Sequence, residues 1–153
     1  MVLVYVVTET HEAESFDPLN ADQTLNLHTM RMLYSTPLYI NALGELDSQI
    51  LSSFSYDQST NTITFIVGED HIFSNGLKIS AEDVALAISR VAFFKPEFPV
   101  VKNILGIREW ISSSNIHTFP KGIKVSGQEV KIFLEKDNSN ALFRFCLELF
   151  SII

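Results

Sequence analysis

The chain opens on an unbroken apolar run, Met1-Val2-Leu3-Val4-Tyr5-Val6-Val7. Its β-branched content predicts a buried central strand over residues 2–8. A polar connection from Glu9 to Asn20 follows, and Pro18 disfavours helix at Asp17. Leu25, Met32 and Leu33, with Met30 and Tyr34 as a second pair four apart, predict a helix near 22–36, interrupted on its stripe by Thr29. Pro37 is expected to end or kink it, and Asn41-Ala42-Leu43-Gly44-Glu45 is a turn. Ser53-Phe54-Ser55-Tyr56 and Thr62-Ile63-Thr64-Phe65-Ile66-Val67 alternate as two strands about the loop Asp57–Asn61.

The densest signal lies between Phe73 and Val84. Asn75-Gly76 predicts a two-residue hairpin turn. Leu77 and Ile79 flank Lys78 as in a half-buried strand. Ser80 is placed to accept a hydrogen bond from the first turn of a helix over 81–93, with Glu82 and Asp83 at its positive end. That helix carries Val84, Ile88 and Val91 on one face, with Ala85, Ala87 and Ala92 allowing close approach. Pro96 and Pro99 break the pattern. A short helix is expected from Val100 to Ile111 and a loop at Ser112–Asn115. Strands at 122–125 and 130–135 meet at a Ser126-Gly127 turn, and a Leu- and Phe-rich helix over 141–150 starts from Ser139 or Asn140. The pattern as a whole is a mixed α/β fold.

At 153 residues the chain is long enough for one real core. A hydrophobic content of 46%, with 12 Phe, excludes a disordered chain. The net charge of −7 and the scattering of the 11 basic residues argue against nucleic acid and against an anionic membrane surface. No stretch reaches the roughly eighteen apolar residues that span a bilayer. The opening run is too short for a signal peptide and has no basic flank. The apolar close, Phe150-Ser151-Ile152-Ile153, reads as a cut through a larger protein, which is expected to leave Leu147, Phe150, Ile152 and Ile153 short of partners.

Candidate chemistry is sparse. Cys146 sits in the apolar run Ala141–Leu147 and reads as a buried structural thiol, which leaves the redox compartment open. Glu9, His11, Glu12, Glu14 and Asp17 form an acidic knot: a cation-facing rim or a partner for a peptide N-terminus on one reading, a solvated loop on the other, which is preferred for the side chains. Loop backbone set by a strand is nonetheless where binding concentrates. His11, His28, His71 and His117 show none of the spacing of a metal site. No nucleophile elbow, phosphate-cradling loop or dinucleotide fingerprint occurs. Glu82 and Asp83 fit dipole compensation better than acid–base work, and Trp110, beside Ile107 and Ile111, fits a core position. An enzyme is not expected, nor a cofactor.

The segment Phe73-Ser74-Asn75-Gly76-Leu77-Lys78-Ile79-Ser80-Ala81-Glu82-Asp83-Val84 closely resembles the "F-S-D-G-x-x-L-T-A-E-D-V" motif of the family 5 extracellular solute-binding proteins, the oligopeptide, dipeptide and nickel receptors of bacterial ABC importers. Other pieces fall in the same order. Glu14-Ser15-Phe16-Asp17-Pro18 resembles the family's "x-S-L-D-P", and the helix ending at Leu38-Tyr39 its "Y-E-x-L" helix. Thr62–Val67 is similar to "Y-T-F-x-L-R", with Val67-Gly68-Glu69 in place of the family's Arg. Lys121–Leu134 is similar to its "x-G-I-x-V-x-D-x-x-T-V-x-I-x-L" hairpin.

The resemblance implies part of a type II periplasmic-binding-protein-like fold in three parts: residues 1–20 as the first strand and ligand-proximal loop of one lobe, 21–120 as the accessory domain, and 121–153 as a return hairpin and truncated helix. It implies that Glu12, Ala13 and Glu14 run past the ligand. The implied function is the substrate-binding component of a peptide importer, periplasmic or a cell-surface lipoprotein, with peptide and permease subunits as partners and no nucleic acid. The alternative is the solute-sensing domain of a cytoplasmic transcription regulator with the same fold. A catalytic or purely structural domain finds no supporting motif.

Overall fold

Residues 15–20, 32–115, 117–138 and 140–148 are described by the computed structural model. The strand expected at 2–8 and most of the helix expected at 22–36 lie outside them. Met32 and Leu33, at the end of that helical pattern, are exposed, and Leu38 beyond Pro37 takes the buried position instead.

A small hairpin, β1 (Tyr39–Ile40) with β2 (Leu46–Asp47), closes where a turn is expected. The Asn41 side chain organises it, its Oδ1 accepting from the N–H groups of Leu43 at 2.9 Å and Glu45 at 3.0 Å. Among the described residues the main sheet has four antiparallel strands: β3 (Leu51–Asp57), β4 (Thr62–Val67), β5 (Ile123–Ser126) and β6 (Glu129–Phe133), in the spatial order β3-β4-β6-β5. Pairing sets Phe54 opposite Phe65, Phe65 opposite Val130, and Val125 opposite Val130. Because side chains alternate across a strand, one face collects Ile63, Phe65, Val67, Val130, Ile132 and Ile123, all buried. The other carries Thr64, Lys124, Glu129 and Lys131, the last two ion-paired at 3.0 Å.

Helix α1 (Ala81–Phe94) packs against β5 and β6 through Val84, Ala85, Ile88, Val91 and Ala92. Its start is a reciprocal capping box. Ser80 Oγ accepts from the Asp83 N–H at 3.2 Å, and Asp83 Oδ2 accepts from the Ser80 N–H at 2.8 Å. Asp83 is thus a capping partner as well as a dipole charge. Two shorter helices follow, α2 (Ile107–Ser113) and α3 (Ala141–Glu148). Helix α3 sets Phe145 edge-on against Phe65 at 5.8 Å and buries Cys146.

Three expectations are corrected. The turn before Ser80 has three residues, not two. The Gly76 N–H donates to Phe73 O at 2.9 Å, and Gly76 has positive φ (+84°) while Asn75 does not, the pattern of a turn followed by a left-handed glycine. Leu77 is 64% exposed while Ile79 is buried, because a single bridge, Ile72 to Lys78, offers no sheet for Leu77 to face. The helix expected from Val100 to Ile111 is split into a 3-10 turn at Val101–Asn103 and helix α2. Between them Leu105 leaves helical bonding: its N–H donates to Phe133 O at 2.9 Å and its C=O accepts from the Gly122 N–H at 2.8 Å. Gly106, at φ +71°, permits the reversal.

The strands expected at 122–125 and 130–135 occur as β5 and β6. Since β6 pairs with β4 along its length, residues on both sides of position 120 share one sheet and one core. Trp110 is a core residue, as expected. It is buried edge-on against Phe93, and its Nε1–H donates to Thr118 O at 2.7 Å.

Candidate functional site

The stretch Glu12–Glu14 expected to run past a ligand lies outside the described residues, as do Glu9 and His11. What is described is the anchorage immediately after it. Pro18–Asn20 forms a 3-10 turn, opened by Asp17, whose Oδ1 accepts from the Leu19 N–H at 3.0 Å. This is the local bond that makes aspartate a turn former. The Asp17 N–H in turn donates to Ser15 Oγ at 3.0 Å, and Phe16 O accepts from the Tyr34 hydroxyl at 3.0 Å. Leu19 packs against the core.

The second oxygen of Asp17 reaches across the fold. Oδ2 lies 2.8 Å from Arg90 Nη2, on the outer face of α1, the two side chains being 35% and 41% exposed. The Arg90 guanidinium also sits 5.7 Å from the centre of the Phe94 ring, one helical turn on, close enough for a cation–π contact. Burial pushes the Asp17 carboxyl up, but the Arg90 hydrogen bond, the Leu19 N–H and the Arg90 charge outweigh it and hold Asp17 below its ordinary value. Asp17 is therefore tethered to α1 through Arg90.

A second polar cluster holds the β3–β4 loop to the chain after β6. The Tyr56 hydroxyl donates to Asp137 Oδ1 at 2.9 Å and accepts from the Asn138 N–H at 3.0 Å, while Gln58 Nε2 donates to Asp137 Oδ2 at 2.8 Å. Burial first, and then Asp137, raises the Tyr56 phenol. The bonds from Gln58 and Tyr56 lower Asp137. The partners are about eighty positions apart in sequence, beyond the reach of any local pattern.

Of the four histidines, His71 and His117 are described, and no group of His, Cys, Asp or Glu among the described residues could hold a metal ion. His71 packs against Gly68, where an added Cβ would fall 2.7 Å from its ring. That contact explains why a glycine follows β4. No helix among the described residues is long and apolar enough to cross a membrane.

No protein-family model matches the chain. No curated protein matches it either. Solved structures do. The substrate-binding domain of an oligopeptide ABC transporter from Bacillus anthracis aligns over 96% of this chain with a TM-score of 0.76 at 16% identity. OppA from Burkholderia pseudomallei aligns over 92% with a TM-score of 0.72 at 18% identity. NikA from Brucella suis, in complex with Fe(III)-EDTA, aligns over 90% with a TM-score of 0.65 at 23% identity. The chain spans 29%, 28% and 26% of those three chains. It therefore has the mixed α/β fold of one part of a periplasmic-binding-protein-like substrate-binding domain. The structures sharing that fold are of the kind its motifs resemble.

Proposed function

We propose that this chain is a segment of a family 5 extracellular solute-binding protein, and that the whole protein captures peptides for an ABC importer. The observation that carries the reading is agreement of fold over 96% of the chain with an oligopeptide transporter's substrate-binding domain, joined to motifs in the family's order from Ser15 to Leu134. In such a receptor two lobes close on the solute about a hinge, and the permease reads the closed form. The role is capture and delivery outside the cytoplasmic membrane, with no bond made or broken, so no residue is assigned to catalysis.

Within it, residues 1–20 would belong to a ligand-binding lobe and the β1–β6 unit with α1 would form the accessory domain. The pairing of β4 with β6 favours moving the boundary proposed at residue 120 to beyond Phe133. The test is calorimetry on the full-length protein that contains this chain, titrated with a mixed peptide library and, separately, with a nickel–histidine complex. Peptide heat with a silent nickel titration is the expected result. Nickel binding alone would overturn the peptide assignment, and silence in both would overturn the receptor reading.

A further inference from the structure

We propose that Asn75-Gly76 is a self-modification site, at which the folded chain converts Asn75 to aspartyl and isoaspartyl residues without an enzyme. It is the only Asn-Gly pair in the sequence. The inference holds whatever solute the whole protein carries.

The step uses the chain's own atoms and water. The Gly76 backbone nitrogen loses its proton to solvent and attacks Asn75 Cγ. The new N–C bond closes a five-membered succinimide ring, and the Cγ–Nδ2 bond breaks. Nδ2 takes up a proton and leaves as ammonia. Water then opens the ring at either carbonyl. Opening at Cγ gives aspartate. Opening at the main-chain carbonyl gives isoaspartate, in which the side-chain carbon carries the backbone. Both products gain a carboxylate, and nothing is oxidised or reduced.

Three features of the turn favour the reaction. Ser74 to Lys78 are all exposed, so water enters and ammonia leaves freely. Gly76 has no Cβ to crowd its nitrogen as it turns towards Cγ, and the space a Cβ would fill is open to at least 4 Å. Asn75 Oδ1 accepts from the Leu77 N–H at 3.0 Å. Negative charge develops on that oxygen as Cγ becomes tetrahedral, so the Leu77 N–H is a donor placed as in an oxyanion hole. One bond opposes the attack: the Gly76 N–H donates to Phe73 O at 2.9 Å and must first be released. That bond lies in an exposed turn closed by the single bridge from Ile72 to Lys78, and such segments open at low free energy.

Two other asparagine turns serve as internal controls. Asn41 Oδ1 accepts from the Leu43 N–H at 2.9 Å, but Ala42 follows it and Glu45 N–H shares the oxygen. Exposed Asn115 accepts from the His117 N–H at 3.2 Å, but Ile116 follows it. All three share the local bond, and the glycine singles out Asn75. Isoaspartate there adds a methylene to the backbone inside the turn held by the Gly76–Phe73 and Phe73–Leu77 bonds, just ahead of the Ser80 cap.

The test incubates the full-length protein containing this chain in warm, mildly alkaline buffer, with a urea-unfolded sample alongside. Peptide mass spectrometry follows amide loss at Asn75, Asn41 and Asn115. Synthetic aspartyl and isoaspartyl peptides identify the products, and amide exchange in α1 checks that the protein stays folded. In the folded sample Asn75 should convert at least about tenfold faster than Asn41 and Asn115, or about 1.4 kcal/mol in barrier. Both products should form, and Asn75→Gln, which would need a larger ring, should keep its amide. Asn75 left intact in the folded protein while the unfolded sample converts would overturn the proposal, because the Phe73 bond would then protect the site. Equal loss at the three asparagines would overturn selection by Gly76. Aspartate without isoaspartate would overturn the succinimide route.

Discussion

The sheet-and-helix unit and the Ser15–Asn20 segment are held by opposite means. In the first, Ile63, Phe65, Val84, Ile88, Val130 and Ile132 are wholly buried, and apolar burial does most of the stabilising. In the second, Leu19 packs against the core, but the other holds are an ion pair, an aspartate turn and two side-chain hydrogen bonds, most of them reachable by water. Apolar burial is strong but non-directional; hydrogen bonds are weak in net energy but fix position. Apolar burial holds the sheet-and-helix unit together, and directional polar contacts fix the position of Ser15–Asn20.

The contrast breaks most visibly where packing is removed. Phe65→Ala deletes the ring that joins β4 to Phe145 of α3 and should cost about 3–5 kcal/mol, read as a large fall in the urea midpoint. Gly122→Ala strikes the same unit from the backbone. Its Cβ would lie 2.7 Å from Leu105 N and 2.9 Å from Phe133 O, backbone atoms that cannot step aside, so a loss of about 1–3 kcal/mol is expected. A melt unchanged by Gly122→Ala would mean that the backbone at the Leu105 crossing yields easily. Ser80→Ala removes half of the capping box and should cost about 1 kcal/mol, still seen in the global melt because α1 belongs to the core.

The smallest expected effect is the one that sharpens the contrast. Asp17 is held below its ordinary carboxylate value in the folded state. A carboxyl lowered by folding contributes stability at pH values above its unfolded pKa, about 3.9, and that contribution is lost as pH falls through the lowered value. A carboxyl titration by NMR should place Asp17 below the ordinary range in the wild type and shift it upward in Arg90→Gln. A midpoint unmoved by the substitution would show that Arg90 does not set the Asp17 charge.

What the sequence reveals follows the same division. The Ser80 helix, the β4 strand and the buried Trp110 are legible because periodicity and capping residues act within a few positions. The split at Leu105 is not, because its bonds go to Phe133 and Gly122, far along the chain. Apolar Val100–Ile111 reads as helix until those partners are known. The two-residue reading of Asn75-Gly76 fails because the dipeptide fixes a turn but not its length. At the candidate site, Asp17-Pro18 announces a turn, yet nothing local pairs Asp17 with Arg90 across 73 positions. The Tyr56–Asp137 contact is hidden for the same reason.

Native-state amide exchange on the wild-type chain, followed through low urea, tests the division most directly. Amides of β4, β5 and β6 should exchange together, through global opening and with the full urea dependence, as one unit across position 120. Asp17 and Leu19 should exchange at least about tenfold faster, through a local opening with little urea dependence. Equal protection and equal urea dependence in the two regions would contradict the division, and would make Ser15–Asn20 part of the core.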